Sequence, residues 1–311
     1  MSLYPQLTEL LELRHQARTV GLASHHPVNS LLCGLYASVF RGKGMDFEEV
    51  REYREGDEIR NMDWRVTART GVPYLKVFRE ERERTVLLCI DVRPAMAFGT
   101  RGTFKSVQAA RAAALLGWSA TGNQDRVGAL LFGDPALGLQ DFPPTRARRS
   151  LWRTLRALTS PPNRGQPPGD PLLEALEKLQ RSAPTGALIF VIADFNREVA
   201  ALERPLSYLA QRRELVLLPV DDPADWDIPA MGRVVFSSPT GQLVEVDTDD
   251  PQGRRFYRER WEQRRRQLKQ LVGRRGIDLI PLLTNSEIHQ ALVTNLRLRA
   301  HRTLGSAGGS A

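Results

Sequence analysis

Long apolar runs recur along the middle of the chain, and segments with helical spacing separate them. The run 85–90 is almost continuously apolar, which is typical of a strand buried on both faces of a parallel sheet. Three later segments predict further strands: 126–132, 187–193 and 214–220. Apolar residues at every third or fourth position predict four helices: 104–120, 151–158, 171–181 and 197–212, the last with a kink or break at Pro205. This alternation predicts an α/β fold, a doubly wound and mainly parallel sheet with helices on both faces.

The two ends of the chain predict smaller elements around this sheet. Leucines at helical spacing indicate a short helix near the start, followed by a linker to residue 39. Residues 40–82 are polar and rich in turn signals, which predicts a small β-rich unit ahead of the main domain, 83–304. Within that domain a hairpin is inserted at 232–247, and the tail 305–311 has the composition of a flexible, disordered linker.

Positive charge is concentrated in one segment. The 311-residue chain has 44 Lys and Arg against 36 Asp and Glu, a net charge of +8. Residues 254–275 alone hold ten basic and two acidic side chains, so the rest of the chain is neutral. Tyr257 and Trp261 fall on one stripe of the helix predicted here, and no nucleic-acid-binding motif surrounds them. We therefore favour a solvated face or an acidic protein partner, contacted by Arg258 and Arg265, over nucleic acid.

Cysteine content and hydropathy indicate the compartment. Cys33 and Cys89 are the only cysteines, and Cys89 lies within a predicted buried strand, which excludes a disulfide framework and a sulfur-rich metal site. No apolar stretch approaches the roughly 18 to 20 residues that a membrane helix needs, and the start lacks the pattern of a secretion signal. We expect a cytoplasmic protein with no membrane insertion.

One long ordered stretch is distinctive. It reads RGKGMDFEEVREYREGDEIRNMDWRVTAR over 41–69, and VFREE follows at 77–81. This stretch resembles the domain of unknown function 58 family, and the order of elements after it is similar to that family's von Willebrand factor A-like domain. The resemblance implies a non-enzymatic adaptor or assembly factor that acts through protein–protein interaction with a MoxR-type AAA+ ATPase. Five residues mark the motif: Asp57, Arg60, Asp63, Trp64 and Arg69. We interpret the charged ones, together with Arg65, as a partly buried ion-pair network around Trp64 rather than a docking surface.

The same resemblance implies where a divalent cation would lie. A von Willebrand A domain holds magnesium on an Asp-x-Ser-x-Ser loop, on a second loop and on an Asp after a later strand. The matching positions here are Asp91, Arg93, Ala95, Asp170 and Asp194. A guanidinium has no lone pair to donate and places a fixed positive charge where the cation belongs. We hypothesise a degenerate metal-ion-dependent adhesion site in which Arg93 pairs with Asp91 or Asp194 and replaces the metal, so that no cofactor is expected.

Several alternatives remain open on the residues alone. Asp91 and Asp194 could simply cap the helices that follow them. A metal-dependent ligand-binding module would retain affinity for magnesium, and a nucleic-acid binder working through 254–275 would show a steep salt dependence. A nuclease with Asp57 and Asp63 on a metal lacks a companion base at suitable spacing.

Overall fold

The computed structural model describes residues 2–20, 46–53, 62–79, 84–161, 163, 165–237 and 242–296. Its helices are α1 (Leu7–Val20), α2 (Trp64–Thr70), α3 (Lys105–Gly122), α4 (Arg148–Leu158), α5 (Pro171–Ser182), α6 (Glu203–Ala210), α7 (Pro251–Arg274) and α8 (288–296). Its strands are β1 (Asp46–Glu52), β2 (Tyr74–Arg79), β3 (Thr85–Asp91), β4 (Arg126–Asp134), β5 (Gly138–Thr145), β6 (Leu188–Ala193), β7 (Glu214–Asp221), β8 (Arg233–Ser237), β9 (Leu243–Asp247), β10 (Asp278–Leu279) and β11 (Leu282–Leu283). The chain divides into two compact units, Phe40–Arg84 and Met1–Val39 with Thr85–Ala311.

The smaller unit contains an antiparallel pair of strands and one helix in its described part. Strand β1 pairs with β2, and α2 lies between them in the chain. The Asp63 carboxylate accepts hydrogen bonds from the backbone N–H groups of Arg65 and Val66, at 3.0 and 3.2 Å, and so caps the first turn of α2. Gly71 ends the helix at φ +73°, a left-handed conformation that glycine adopts without strain. This helix was not predicted, because its seven residues carry no apolar stripe.

The larger unit is built on one sheet whose strands run in the order β10-β7-β6-β3-β4-β5, and β11 also pairs with β7. All neighbours in it are parallel except β4 and β5. From β3 the chain moves outward through β4 and β5 on one side, and then through β6, β7 and β10 on the other. The predicted doubly wound, mainly parallel sheet is therefore confirmed. The order reverses between β3 and β6, and ligands bind beyond the carboxyl ends of strands at such a switch point.

The core of this unit explains why the strands read as continuous apolar runs. Every residue of β6 is buried, as are all residues of β3 after Thr85. The alanine-rich α3 buries most of its length, which small side chains allow because they let a helix approach the sheet closely. Helix α1 then packs on α3, with Leu10 fully buried and its carbonyl oxygen accepting a 3.0 Å hydrogen bond from Trp118 Nε1.

Two elements of the larger unit differ from the sequence-based expectation. Strand β5 was not predicted, because Pro143 and Pro144 argue against a strand; it is tolerated as an antiparallel edge strand, where proline costs fewest ladder bonds. The helix predicted over 197–212 is a short 3₁₀ turn followed by α6, so Pro205 lies in a first turn and causes no kink. The hairpin predicted over 232–247 is present, with β8 paired antiparallel to β9 in a two-stranded sheet.

The described helices include none that is both long and apolar enough to cross a bilayer. The tail 305–311 and the linker region 21–39 lie outside the described residues.

Candidate functional site

Arg93 lies between two carboxylates at the carboxyl edge of the sheet. Its Nε is 2.9 and 3.0 Å from the two oxygens of Asp91, and its Nη2 is 2.5 Å from Asp91 Oδ2 and 2.9 Å from Asp194 Oδ1. The Asp91 side chain is fully buried, that of Asp194 is 11% exposed and that of Arg93 is 22% exposed. One guanidinium therefore bridges the ends of β3 and β6, at the switch point.

Local backbone geometry holds this arrangement. The backbone N–H of Arg93 donates to Asp91 Oδ1 at 2.9 Å. The Asp91 carboxylate therefore binds both the backbone and the side chain of Arg93 and holds the loop in place. Gly133, at the end of β4, has φ +88°, and a Cβ there would collide with the stem of Arg93. Phe195 also has a positive φ, 47°, directly after Asp194. Such conformations cluster where a chain is bent to serve a site.

Electrostatics favour a permanently charged Arg93. Burial opposes the charge on this side chain, but Asp91 and Asp194 outweigh it and raise the pKa of Arg93. Burial raises the pKa of Asp91, and the guanidinium opposes that shift. Burial also opposes ionisation of Asp194, yet Arg93 and then Lys105 hold the pKa of that carboxyl below its ordinary value. The cation is thus fixed to the site across the physiological pH range.

A second set of ion pairs surrounds the first. Arg265, on α7, pairs with Asp221 at the end of β7 and donates to the backbone carbonyl oxygen of Asp194 at 2.5 Å. Lys105, the first residue of α3, is 3% exposed and lies 2.8 Å from Asp225. These pairs tie α3 and α7 to the same edge of the sheet.

Asp222 completes this network without a cation. It accepts hydrogen bonds from the Thr100 N–H at 2.9 Å, from the hydroxyls of Thr100 and Thr284 at 2.5 Å each, and from the Ala224 N–H at 2.9 Å. Burial opposes its charge, but the threonine hydrogen bonds hold the pKa of Asp222 below its ordinary value. Three loops are joined through one carboxylate.

The residues at the expected cation position do not fit a divalent ion. Arg93 occupies the space between the two carboxylates, and Ala95 has no oxygen to offer. Within the described ranges no group of three His, Cys, Asp or Glu side chains is arranged to hold a metal. Nor do Asp91 and Asp194 cap helices, because the 3₁₀ turns that follow them begin at Pro94 and Ala200 and have Arg93 and Val199 as their N-cap residues.

The fifth residue matched to the adhesion site, Asp170, has a different role. It caps α5 by accepting from the Leu173 N–H at 3.3 Å, and it forms an ion pair with Arg197. Those hydrogen bonds from Arg197 lower the pKa of Asp170, with burial opposing them. The structure therefore brings Asp91, Arg93 and Asp194 together and leaves Asp170 in a pair of its own.

Three of the five motif residues lie on α2 or at its start. In the smaller unit Asp63 caps α2, Trp64 is 66% exposed and Arg69 lies in the last turn of α2; Asp57 and Arg60 lie outside the described residues.

The two arginines expected on the basic surface differ from each other. Arg258 forms a half-exposed ion pair with Asp227 at 2.5 Å. Arg265 points into the sheet edge instead, because Asp221 and two backbone carbonyl groups there need a donor.

The sequence did not predict the charged residues that surround Arg93, Asp91 and Asp194. Lys105, Asp221, Asp222 and Asp225 were not singled out, although Asp221 and Asp222 directly follow the buried run of β7. An acidic pair at the end of a buried parallel strand is the signal that points to them.

Comparison with known proteins decides the family. The family described as "Protein of unknown function DUF58" matches residues 49–267. The chain belongs to this family. The motif-based resemblance is thereby confirmed, and the match covers both the smaller unit from residue 49 and most of the sheet that carries Arg93.

Relatives of this DUF58 protein span nearly all of it. The uncharacterized protein Rv1480 of Mycobacterium tuberculosis is 28% identical over 292 residues, which is 94% of this chain and 90% of the relative. Among solved structures, BatB from Bacteroides thetaiotaomicron has a TM-score of 0.43 and 16% identity, covering 70% of this chain and 99% of BatB. The SpRpn10 VWA domain has a TM-score of 0.36 and 14% identity, covering 68% of this chain and 94% of that domain.

Proposed function

We propose that this DUF58 protein is a non-enzymatic, cytoplasmic adaptor that binds a MoxR-type AAA+ ATPase, and that the edge carrying Arg93 is part of the contact. The proposal rests on one observation, the guanidinium of Arg93 held between Asp91 and Asp194 where a related domain would hold a cation. A fixed side-chain cation can attract an acceptor group of a partner without a metal.

The free side of the guanidinium supports this role. Arg93 uses Nε and Nη2 to reach the two carboxylates, while its Nη1 has no hydrogen bond to any described residue. The side chain is 22% exposed. An exposed donor on an otherwise immobilised side chain loses little conformational entropy when a partner binds it.

The chemistry of the neighbouring groups argues against an enzyme. Lys105, Arg265 and Arg197 are each paired with a carboxylate, and a general base or nucleophile needs a group that is free to exchange a proton or attack. Burial, and secondarily Asp91, raises the pKa of the Cys89 thiol, so it stays protonated in the core. These groups have structural partners instead of reactive ones.

The test is direct binding to the cognate MoxR-type ATPase. Immobilised wild-type protein is presented with the ATPase at low salt, with ATP or ADP, beside two variants. Arg93→Lys keeps the charge but loses the planar fork, and we expect it to weaken binding by about tenfold. Arg181→Ala removes an exposed cation at the end of α5 and should leave binding within about twofold. Recovery of no ATPase by wild type in either nucleotide state would overturn the proposal.

A further inference from the structure

A groove lies between the hairpin β8–β9 and α7, and its lining includes none of the residues of the Arg93 site. Its volume is about 450 Å³. Three arginines of α7 line it, Arg254, Arg260 and Arg264. Two hydroxyl groups of the lining already have hydrogen-bond partners. The Tyr257 hydroxyl donates to the Ala224 carbonyl oxygen at 3.1 Å, and the Thr248 hydroxyl donates to the Gly232 carbonyl oxygen.

The three arginines have no acidic partner within the described part of the chain. Arg258 and Arg265 on the same helix are paired with Asp227 and Asp221, whereas the described carboxylates form no ion pair with the groove arginines. The Nε atoms of Arg254 and Arg264 are buried with no hydrogen-bond acceptor in reach. A buried donor without an acceptor is costly, so these groups favour a ligand that brings acceptors.

The hairpin adds an apolar face beside this charge. Val234 is paired with Val246 and Phe236 with Val244, and alternate residues of paired strands share one face. Phe236 and Val244 are 39% and 46% exposed. Val246 lines the groove itself, so the apolar face runs directly into the row of arginines.

We propose that this groove binds an extended acidic segment of a partner protein, with carboxylates on the three arginines and an aliphatic or aromatic side chain on the hairpin face. This inference rests on the proposed adaptor function, since it names the chemistry of what the adaptor recognises. From Arg254 to Arg264 the helix rises about 15 Å, which is the length of about five extended residues. The positive charge of the three arginines favours an acidic segment over a neutral or basic one.

The lining favours a peptide over a nucleic acid. The three arginines attract either kind of anionic chain, so the charge of the lining does not by itself separate the two. The valines and Phe236 offer contacts to aliphatic side chains, which a sugar–phosphate backbone lacks. A peptide that alternates acidic and apolar residues matches both features, because alternation places the two kinds on opposite sides of an extended chain.

Fluorescence anisotropy with labelled synthetic probes tests the proposal. The probe is a twelve-residue peptide alternating Glu with Leu or Val; the comparison probes are a peptide with the same number of Glu and with Ser in place of the apolar residues, and a single-stranded DNA 12-mer. The groove variant carries Arg254→Gln, Arg260→Gln and Arg264→Gln. The control variant carries Arg255→Gln, Lys269→Gln and Arg274→Gln, which lowers the net charge equally but lies outside the groove lining.

We expect the alternating peptide to bind wild type, to lose at least about tenfold in affinity on the groove variant and to change by less than about twofold on the control variant. Equal losses on both variants, or tighter binding of DNA than of the alternating peptide, would overturn the proposal. The Arg93→Lys protein separates this from the proposed function: it should bind the peptide as wild type does. Failure of ATPase recovery with intact peptide binding would reject the ATPase partner alone, whereas loss of the peptide result with ATPase binding intact would reject the groove alone.

Discussion

Arg93 donates from Nη2 to Asp194 Oδ1 across 2.9 Å, although 101 positions separate the two residues in the chain. The contact joins the end of β3 to the end of β6, the two strands between which the order of the sheet reverses. Because Arg93 also binds Asp91, the site has two buried carboxylates and a single shared cation.

Removal of Arg93 should destabilise the fold more than an ordinary surface charge deletion. Arg93→Ala leaves two carboxylates facing each other with no cation, and breaking such a buried pair costs about 3 kcal/mol. The control is Arg258→Ala, whose pair with Asp227 is about half exposed and is worth under about 1 kcal/mol. Urea unfolding monitored by circular dichroism gives both values. Equal losses would show that Arg93 is only a surface charge.

Gly133 should be required for the position of Arg93. A Cβ at this residue would overlap the Arg93 stem, so Gly133→Ala combines backbone strain with displacement of the guanidinium. Gly138→Ala is the matched control, because Gly138 has φ +60° but open space around it. We expect the Gly133 variant to lose at least about 2 kcal/mol more in the free energy of unfolding than the control. Similar losses in the two variants would mean that Gly133→Ala acts through backbone strain alone and not through displacement of Arg93.

Asp222 should contribute to stability in a pH-dependent way. Threonine hydrogen bonds hold its folded pKa below its ordinary value against the cost of burial, so its contribution is present above the unfolded value of about 3.9 and is lost as the pH falls through the folded pKa. Asp222→Asn should lose about 2 kcal/mol at pH 7 and show a smaller further drop below about pH 4 than wild type. Curves of unfolding free energy against pH that run parallel would contradict this assignment.

The N-terminal helix should be part of the core of the larger unit. Leu10 is fully buried where α1 packs on α3, whereas Leu3 is 53% exposed. Leu10→Ala should cost about 3 kcal/mol through lost burial and the cavity left behind, while Leu3→Ala should stay within about 0.5 kcal/mol. Thermal unfolding of both variants measures the difference. A Leu10 variant as stable as wild type would mean that α1 contributes little to the core.

Apolar periodicity predicted the sheet because its strands are buried on both faces. The runs that become β3, β6 and β7 lack the alternation of a half-exposed strand, and Asp91 and Asp194 follow two of them directly. The family resemblance placed these two carboxylates together, and the arrangement is physically consistent because parallel strands end at one edge of the sheet. Edge strand β5, with its two prolines, carries no such signal.

Apart from the pairing of Arg93 with Asp194, the contacts between distant charged residues could not be predicted. Nothing local in the basic stretch distinguishes Arg265, which turns into the sheet edge towards Asp221, from Arg258 on the same helix, which stays half exposed. Lys105 is likewise buried against Asp225, 120 positions away. Which charges are paired and which stay free depends on how α3 and α7 pack, and tertiary packing is not encoded in periodicity.

We propose that the Arg93 guanidinium occupies the position of a divalent cation, and calorimetric titration of magnesium and manganese measures whether that position still binds a metal. Wild type is compared with a variant carrying Arg93→Ser and Ala95→Ser, which restores two hydroxyl oxygens beside Asp91 and Asp194. We predict no binding heat for wild type and saturable binding for the variant. Binding by wild type at micromolar to low-millimolar affinity would show that Arg93 does not replace the metal.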